Sequence, residues 1–428
     1  MLASRTLVRW GTRAAFFSVV ASLTACGGGA GETPLTADPY SVRALWRDLY
    51  DSVEAGNRGY DRPEYVIAAN GVVAVSGSSG IDFAHPQGVL RAYDGESGSL
   101  LWSESLEAST CVAGFGEMDV VATTLIVSGI RCNEETVRAF DLRSGRQVWS
   151  REEEDPTQPA GPLLTSNGAA IASIDPDVQG LTIRMHDPAD GSVVWASQTD
   201  LAFHPFAASS EKVVVAVGIP SIGNRARVRA YDSETGQELW NGHVGRASRF
   251  QSLHAISMGN GVLVTASWPG FYGSRLQARD ELTGEELWTR SSSTAARSIV
   301  VGDARVYVVG NIQGKVRYKF SVNAYSQSSG ELLWSDQRNR DKMDEHAEWA
   351  VLDSGRLIVG GAEMQIRVYD AATGEVLEEV FDDLGTGIGR GLAVDDGRIF
   401  SLAGVFEPDA VEFANQDFLL RAFQEEVR

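Results

Sequence analysis

Leu90-Arg91-Ala92-Tyr93-Asp94-Gly95-Glu96-Ser97-Gly98-Ser99-Leu100-Leu101-Trp102 is one copy of a passage that the chain writes seven times. It returns at Val137–Trp149, Ile183–Trp195, Val228–Trp240, Leu276–Trp288, Val322–Trp334 and Ile366–Glu378. Successive tryptophans lie 47, 46, 45, 48 and 46 residues apart, and a fixed period of that size marks a stacked or circular array of one small unit. Each copy is an alternating apolar run, a turn with Ser/Thr-Gly, and a short second run ending in Trp, which is a hairpin pattern. Gly98, Gly145, Gly191, Gly236, Gly284, Gly330 and Gly374 are placed to supply positive φ, and the Asp at 94, 141, 187, 232, 280 and 370 to accept from the turn's amides.

A second hairpin precedes each copy, turning at Asn70-Gly71, Asn167-Gly168, Asn260-Gly261, Ser354-Gly355 and Asp396-Gly397. The unit is therefore four antiparallel strands, A to D. Four strands alone leave both faces uncovered, whereas radial stacking covers them, so the expected fold is an all-β propeller. Trp102, Trp149, Trp195, Trp240, Trp288 and Trp334 are then wedges between adjacent blades. Strand C recurs at Ala92, Ala139, Met185, Ala230, Ala278, Ala324, Val368 and Ala422, which makes eight blades. The eighth copy, Leu419–Phe423, has no Trp strand after it, while Val42–Trp46 has a Trp but no strand C before it. The expected closure is an N-terminal strand that completes blade eight, with Trp46 in the ring and Glu378 at the position where Trp is lost. The expected organisation is an export signal over 1–25, a tether over 26–41 and an eight-bladed propeller over 42–428.

The motif Ala-Tyr/Phe-Asp-x-x-Ser/Thr-Gly-x-x-x-Trp resembles the tryptophan-docking repeat of the pyrroloquinoline-quinone (PQQ) type. Quinoprotein dehydrogenases carry that repeat, and so do non-enzymatic propeller lipoproteins that serve as scaffolds of outer-membrane β-barrel assembly (BamB-like). Quinoproteins of this kind have adjacent cysteines and a calcium site of Glu, Asn and Asp. Here Cys26, Cys111 and Cys132 are far apart, and long insertions between blades are lacking. The six histidines fall at no metal-ligand spacing, and motifs for a nucleophile or a phosphate loop are missing. The expectation is no catalytic residue, no metal and no cofactor, PQQ included.

Arginines at 5, 9 and 13 followed by apolar Ala14–Leu23 read as an export signal, too short for a stable span. Leu23-Thr24-Ala25-Cys26 resembles a bacterial lipobox, which implies lipidation of Cys26. The implied address is the periplasmic side of the outer membrane in a Gram-negative host, or the cell surface in a Gram-positive one. A net charge of −20 argues against nucleic acid and against adsorption to anionic lipid. In an oxidising compartment, Cys111 at the start of one strand A and Cys132 at the end of the following strand B are expected to form a disulfide, two small core residues being the alternative.

The A–B turns are uniform, so specificity is expected in the varied B–C loops. Trp268, Phe271 and Tyr272, with Phe406 in another loop, are the candidate partner-binding residues, or else they fold back over the channel mouth. The functional expectation is a monomeric, lipid-anchored propeller that binds envelope proteins. A PQQ-dependent dehydrogenase and a surface module for glycan or peptide are the alternatives.

Overall fold

The computed structural model describes residues 42–50, 60–80, 87–106, 113–131, 134–154, 163–166, 171–177, 180–220, 226–244, 253–267, 273–313, 318–338, 346–361, 365–380, 387–406 and 416–425. These form thirty-two strands and, among the described residues, no helix. Each group of four pairs antiparallel in the order A-B-C-D, giving eight blades. Blade 1 runs from Tyr60–Ala69 (A) through Val72–Gly80 (B) and Gln87–Asp94 (C) to Leu100–Leu106 (D). Blade 8 takes A, B and C from Gly387–Asp395, Arg398–Phe406 and Gln416–Glu425, and its strand D is Val42–Tyr50. The all-β, eight-bladed ring closed by the N-terminal strand is thus the fold expected from the repeat.

The local reasons are plain in the turns. Asn70-Gly71, Asn260-Gly261, Ser354-Gly355 and Asp396-Gly397 have both residues at positive φ, the geometry that matches strand twist in a two-residue hairpin. Asn167-Gly168 lies outside the described residues. In the C–D turns, Asp94 Oδ1 accepts from the Ser97 amide at 3.0 Å, and Asp232 Oδ1 from the Thr235 amide at 2.8 Å. Hydrogen bonds of this kind hold the Asp94, Asp141, Asp232, Asp280 and Asp370 carboxyls below their ordinary range.

Burial follows radius. Strand B is covered on both faces, so it reads as an unbroken apolar run, and Val213–Val217 of blade 4 are wholly buried. Strand D is the outer strand, and Leu100, Val194, Leu239, Leu287 and Leu333 stand exposed on it. Strand A of each blade touches strand A of both neighbours, and the circuit closes between Gly387–Asp395 and Tyr60–Ala69.

The seam between blades is one repeated dock. The Trp of strand D pairs with a strand C residue of its own blade, Ala in six docks and Met185 in blade 3, and its ring reaches the C–D turn of the next blade. Trp195 Nε1 donates to the Ser233 carbonyl at 2.8 Å, its ring lies on Gly236, and it stacks on Tyr231 with centroids 6.5 Å apart. Trp46, Trp102, Trp149, Trp240, Trp288 and Trp334 make the equivalent indole bond to Gly95, Leu142, Pro188, Glu281, Gln327 and Ala371. The turn glycine is required twice over. Gly236 has φ +70°, and a Cβ on it would lie 2.6 Å from the Trp195 ring. His186 takes the aromatic place in blade 3, stacked on Trp149 at 6.3 Å, and burial pushes its pKa down to about 4, so it packs as a neutral ring.

Trp46 closes the ring by the same geometry. It sits opposite Ala422 in blade 8 and lies on Gly98 of blade 1. Glu378 occupies the equivalent place in blade 7, opposite Val368. A Trp there would need a C–D turn in blade 8. That blade takes strand D from Val42–Tyr50 and strand C from Gln416–Glu425, so no tight C–D turn links them and the docking surface does not exist.

The residue just before the strand C position that faces the Trp (Glu378 in blade 7) is Arg91, Arg138, Arg184, Arg229, Arg367 and Arg421 in six blades, but Gln277 in blade 5 and Asn323 in blade 6.

Trp195→Ala removes a buried wedge and should cost about 3–5 kcal/mol in chemical denaturation. Glu378→Trp should leave the unfolding midpoint unraised, because there is no turn for the new ring to dock on.

Candidate functional site

Strand A lines the ring axis, and the pairing of strands A and B slips by one residue in most blades. The slips fall between Pro63 and Tyr65, Leu253 and Ala255, Ala296 and Ser298, Ala347 and Trp349, and Gly389 and Gly391. The extra residue in each is Glu64, His254, Arg297, Glu348 or Arg390. A bulge re-aims the side chain it inserts. In blade 2 the irregularity spans Gly116 and Glu117. Five consecutive blades, 5 through 1, therefore carry a titratable residue at one level of the axis, and Glu117 extends the arc into blade 2.

The arc is linked across blades. Arg297 Nε of blade 6 lies 3.9 Å from Glu348 Oε1 of blade 7, while within blade 1 Arg62 Nε lies 3.5 Å from Glu64 Oε1. Glu117 Oε2 accepts the Leu164 amide of blade 3 at 2.8 Å. Burial raises the Glu64 pKa, against Arg62 and Arg390, which lower it. Burial raises that of Glu348, against Arg297. Glu117 is pushed up to about 7, by burial first and then by Asp119, while the Leu164 amide opposes the shift. Tyr65 is pushed well above its ordinary value by burial, with Glu117 and Glu64 adding to it.

A cavity of about 330 Å³ opens within this arc, lined by Arg62, Glu64, Tyr65, Trp349 and Arg390 among others. Its walls come from blades 1, 7 and 8, and blades 1 and 7 meet in one cavity only near the axis. The bulges fall in the first half of strand A, so the site lies toward the end where strands B pass to C and D to A. Two guanidiniums, a carboxylate, a phenol and an indole face one space, a set suited to gripping a polar side chain or chain end of a partner. Among the described residues, no group of three or more His, Cys, Asp or Glu is arranged to hold a metal ion.

The predicted site residues are placed as follows. The seven tryptophans form the blade docks described above. Trp268, Phe271 and Tyr272 lie outside the described residues, between strands ending at Ser267 and starting at Ser274. Phe406 is the last residue of strand B in blade 8, and its backbone pairs with Gln416. Cys26, Cys111 and Cys132 also lie outside the described residues. The strands that Cys111 and Cys132 flank end side by side, with Ala113 paired to Arg131. Sequence reasoning missed the axial arc. Its signal was available: Glu64, His254, Arg297, Glu348 and Arg390 each stand six residues before the first residue of their A–B turn.

Glu117 gives this site a pH signature. Its carboxyl holds a proton in the folded chain that the unfolded chain has lost between 4.5 and about 7, so stability should fall as pH rises through that window and level off above it. Glu117→Gln keeps an acceptor for the Leu164 amide and should flatten that slope in urea midpoints measured against pH.

Comparison with known proteins places this geometry. The family model described as outer membrane protein assembly factor BamB matches residues 38–224, 179–316 and 224–381. A BamB of Yersinia pestis is 21% identical over 287 residues, covering 65% of this chain and 69% of that protein. The crystal structure of BamB from Moraxella catarrhalis superposes with a TM-score of 0.59 at 16% identity, over 90% of this chain and 100% of that one. A europium-containing methanol dehydrogenase also superposes, with a TM-score of 0.56 at 10% identity, over 90% of this chain and 93% of that one. The seven tryptophan docks, the eight blades and the matched span agree, and the chain belongs to the BamB family of PQQ-type repeat propellers.

Proposed function

We propose that this protein is a non-catalytic scaffold of the cell envelope that takes part in outer-membrane protein assembly. The observation that carries the reading is the family match over most of the propeller, to a family described as an outer membrane protein assembly factor. In this reading Cys26 carries a lipid, residues 27–41 form the tether, and the propeller stands on the periplasmic side of the outer membrane. Partner proteins dock at the B–C and D–A end, where Trp268, Phe271, Tyr272 and Phe406 supply apolar contacts and the axial cavity takes a polar group. A ring held by seven interblade docks presents such a face without reordering on binding, which reduces the cost of association.

The enzymatic reading has the dehydrogenase neighbour in its favour, but a shared fold does not carry an activity with it. The residue set does not fit the quinone apparatus, since Cys26, Cys111 and Cys132 include no adjacent pair.

Affinity capture of the full-length protein from its own membranes, with co-purified proteins identified by mass spectrometry, should recover outer-membrane assembly components. The Trp268→Ala, Phe271→Ala, Tyr272→Ala triple variant should keep the wild-type unfolding midpoint and lose most of that capture. Depleting the protein should lower the amount of barrel proteins in the outer membrane. Capture free of assembly components, or dye reduction after adding the quinone and calcium, would overturn the reading.

A further inference from the structure

We infer that the groove between blades 5 and 6 is a binding site for a neutral saccharide. Arginine side chains fill the same groove at other seams. In blade 1, Arg91 reaches Asp48 of the preceding blade at 3.7 Å. In blade 4, Arg229 bonds Asp200, which follows strand D of the preceding blade, at 2.6 Å. In blade 7, Arg367 pairs with Glu379 and lies over the Phe320 ring of blade 6 at 4.2 Å. In these three blades the arginine at this repeat position bridges two blades and occupies the space between them.

Blade 6 has Asn323 at that position. Its shorter side chain stays on the floor, where Nδ2 donates to Thr294 Oγ1 at 2.6 Å. Tyr325 donates to Ser292 Oγ at 3.0 Å, and Thr294 Oγ1 and Ser321 Oγ share a bond of 2.7 Å. Blade 5 also lacks the arginine, but there Arg279 lies across the seam, bonded to the Gly284 and His243 carbonyls. Between blades 5 and 6, Arg290 is drawn aside to the Ser329 and Gly330 carbonyls. The space that remains is a cavity of about 520 Å³.

The chemistry of the lining selects the ligand. The floor is a buried network of hydroxyls and one carboxamide, and Ser291, Ser293, Ser335 and Gln337 line the walls. Hydroxyls and carboxamides both donate and accept, and hydroxyls rotate to suit the partner. Arg290 and Glu331 are the two charged residues of the lining and cancel. A lining rich in two-way polar groups with no net charge matches a ligand that carries many hydroxyls and no charge. The volume falls within the range of small-molecule sites. The site lies at the outer, D-strand side of the ring and is independent of the axial face proposed for partner proteins.

The repeat supplies the decisive variant, because arginine at this position is what six other blades already carry. Full-length protein is applied to an array of neutral glucose-, galactose- and N-acetylglucosamine-based oligosaccharides, and the best binder is titrated by calorimetry. Wild type should bind at least one, and Asn323→Arg should weaken that binding at least tenfold with the unfolding midpoint unchanged. Ser335→Trp, at an exposed wall position, should have the same effect, and it stands in if Asn323→Arg fails to fold. Wild type that binds no array member, or binding that survives both substitutions, would overturn the assignment.

Discussion

Everything in this molecule rests on one contact, the indole of strand D lying flat on the turn glycine of the next blade. The contact combines a large apolar burial, a hydrogen bond from the indole to a turn carbonyl, and stacking on the next blade's aromatic residue. It also constrains both partners. The glycine must be at positive φ and must lack a Cβ, and the Trp faces Ala in its own strand C in every dock but that of blade 3, where it faces Met185. That is why Ala, Asp, Gly and Trp recur together at fixed spacing: each serves the seam with the following blade. The same logic explains the exception at Glu378, where the neighbouring blade is assembled from two distant parts of the chain and offers no turn.

A ring built this way separates structure from function by position. The repeated residues are consumed by seams, so what distinguishes this protein sits where the copies diverge. The axial arc of Glu64, Arg297, Glu348, Arg390 and Glu117 arises from bulges in strand A, which turn single residues out of the pairing register. The groove between blades 5 and 6 goes with one exchange, Asn323 where six blades have arginine. The groove departs from the repeat at one position, whereas the bulge recurs in five blades and the residue it carries, Glu64, His254, Arg297, Glu348 or Arg390, is what differs. The family relationship to an assembly factor and the fold shared with a methanol dehydrogenase fit this division: the ring is common, and activity belongs to the departures.

The sequence by itself determined the strand order, the turn types, the number of blades and the strand that closes the ring, because these follow from local periodicity, from Gly and Asn at turns, and from counting one motif at both ends of the chain. The docking role of Trp46 was legible in the same way, from its phase alone. The mixed-charge arc and the open groove were decided by tertiary structure. Glu64, Glu348 and Arg390 are hundreds of residues apart in part, and only closure of the ring brings blades 1, 7 and 8 around one cavity. Asn323 reads as an ordinary strand residue until the neighbouring blade shows which space its missing guanidinium leaves. Local pattern encodes the backbone because each hairpin is settled by its own residues. The sites are set by radial packing between units, which no single repeat contains.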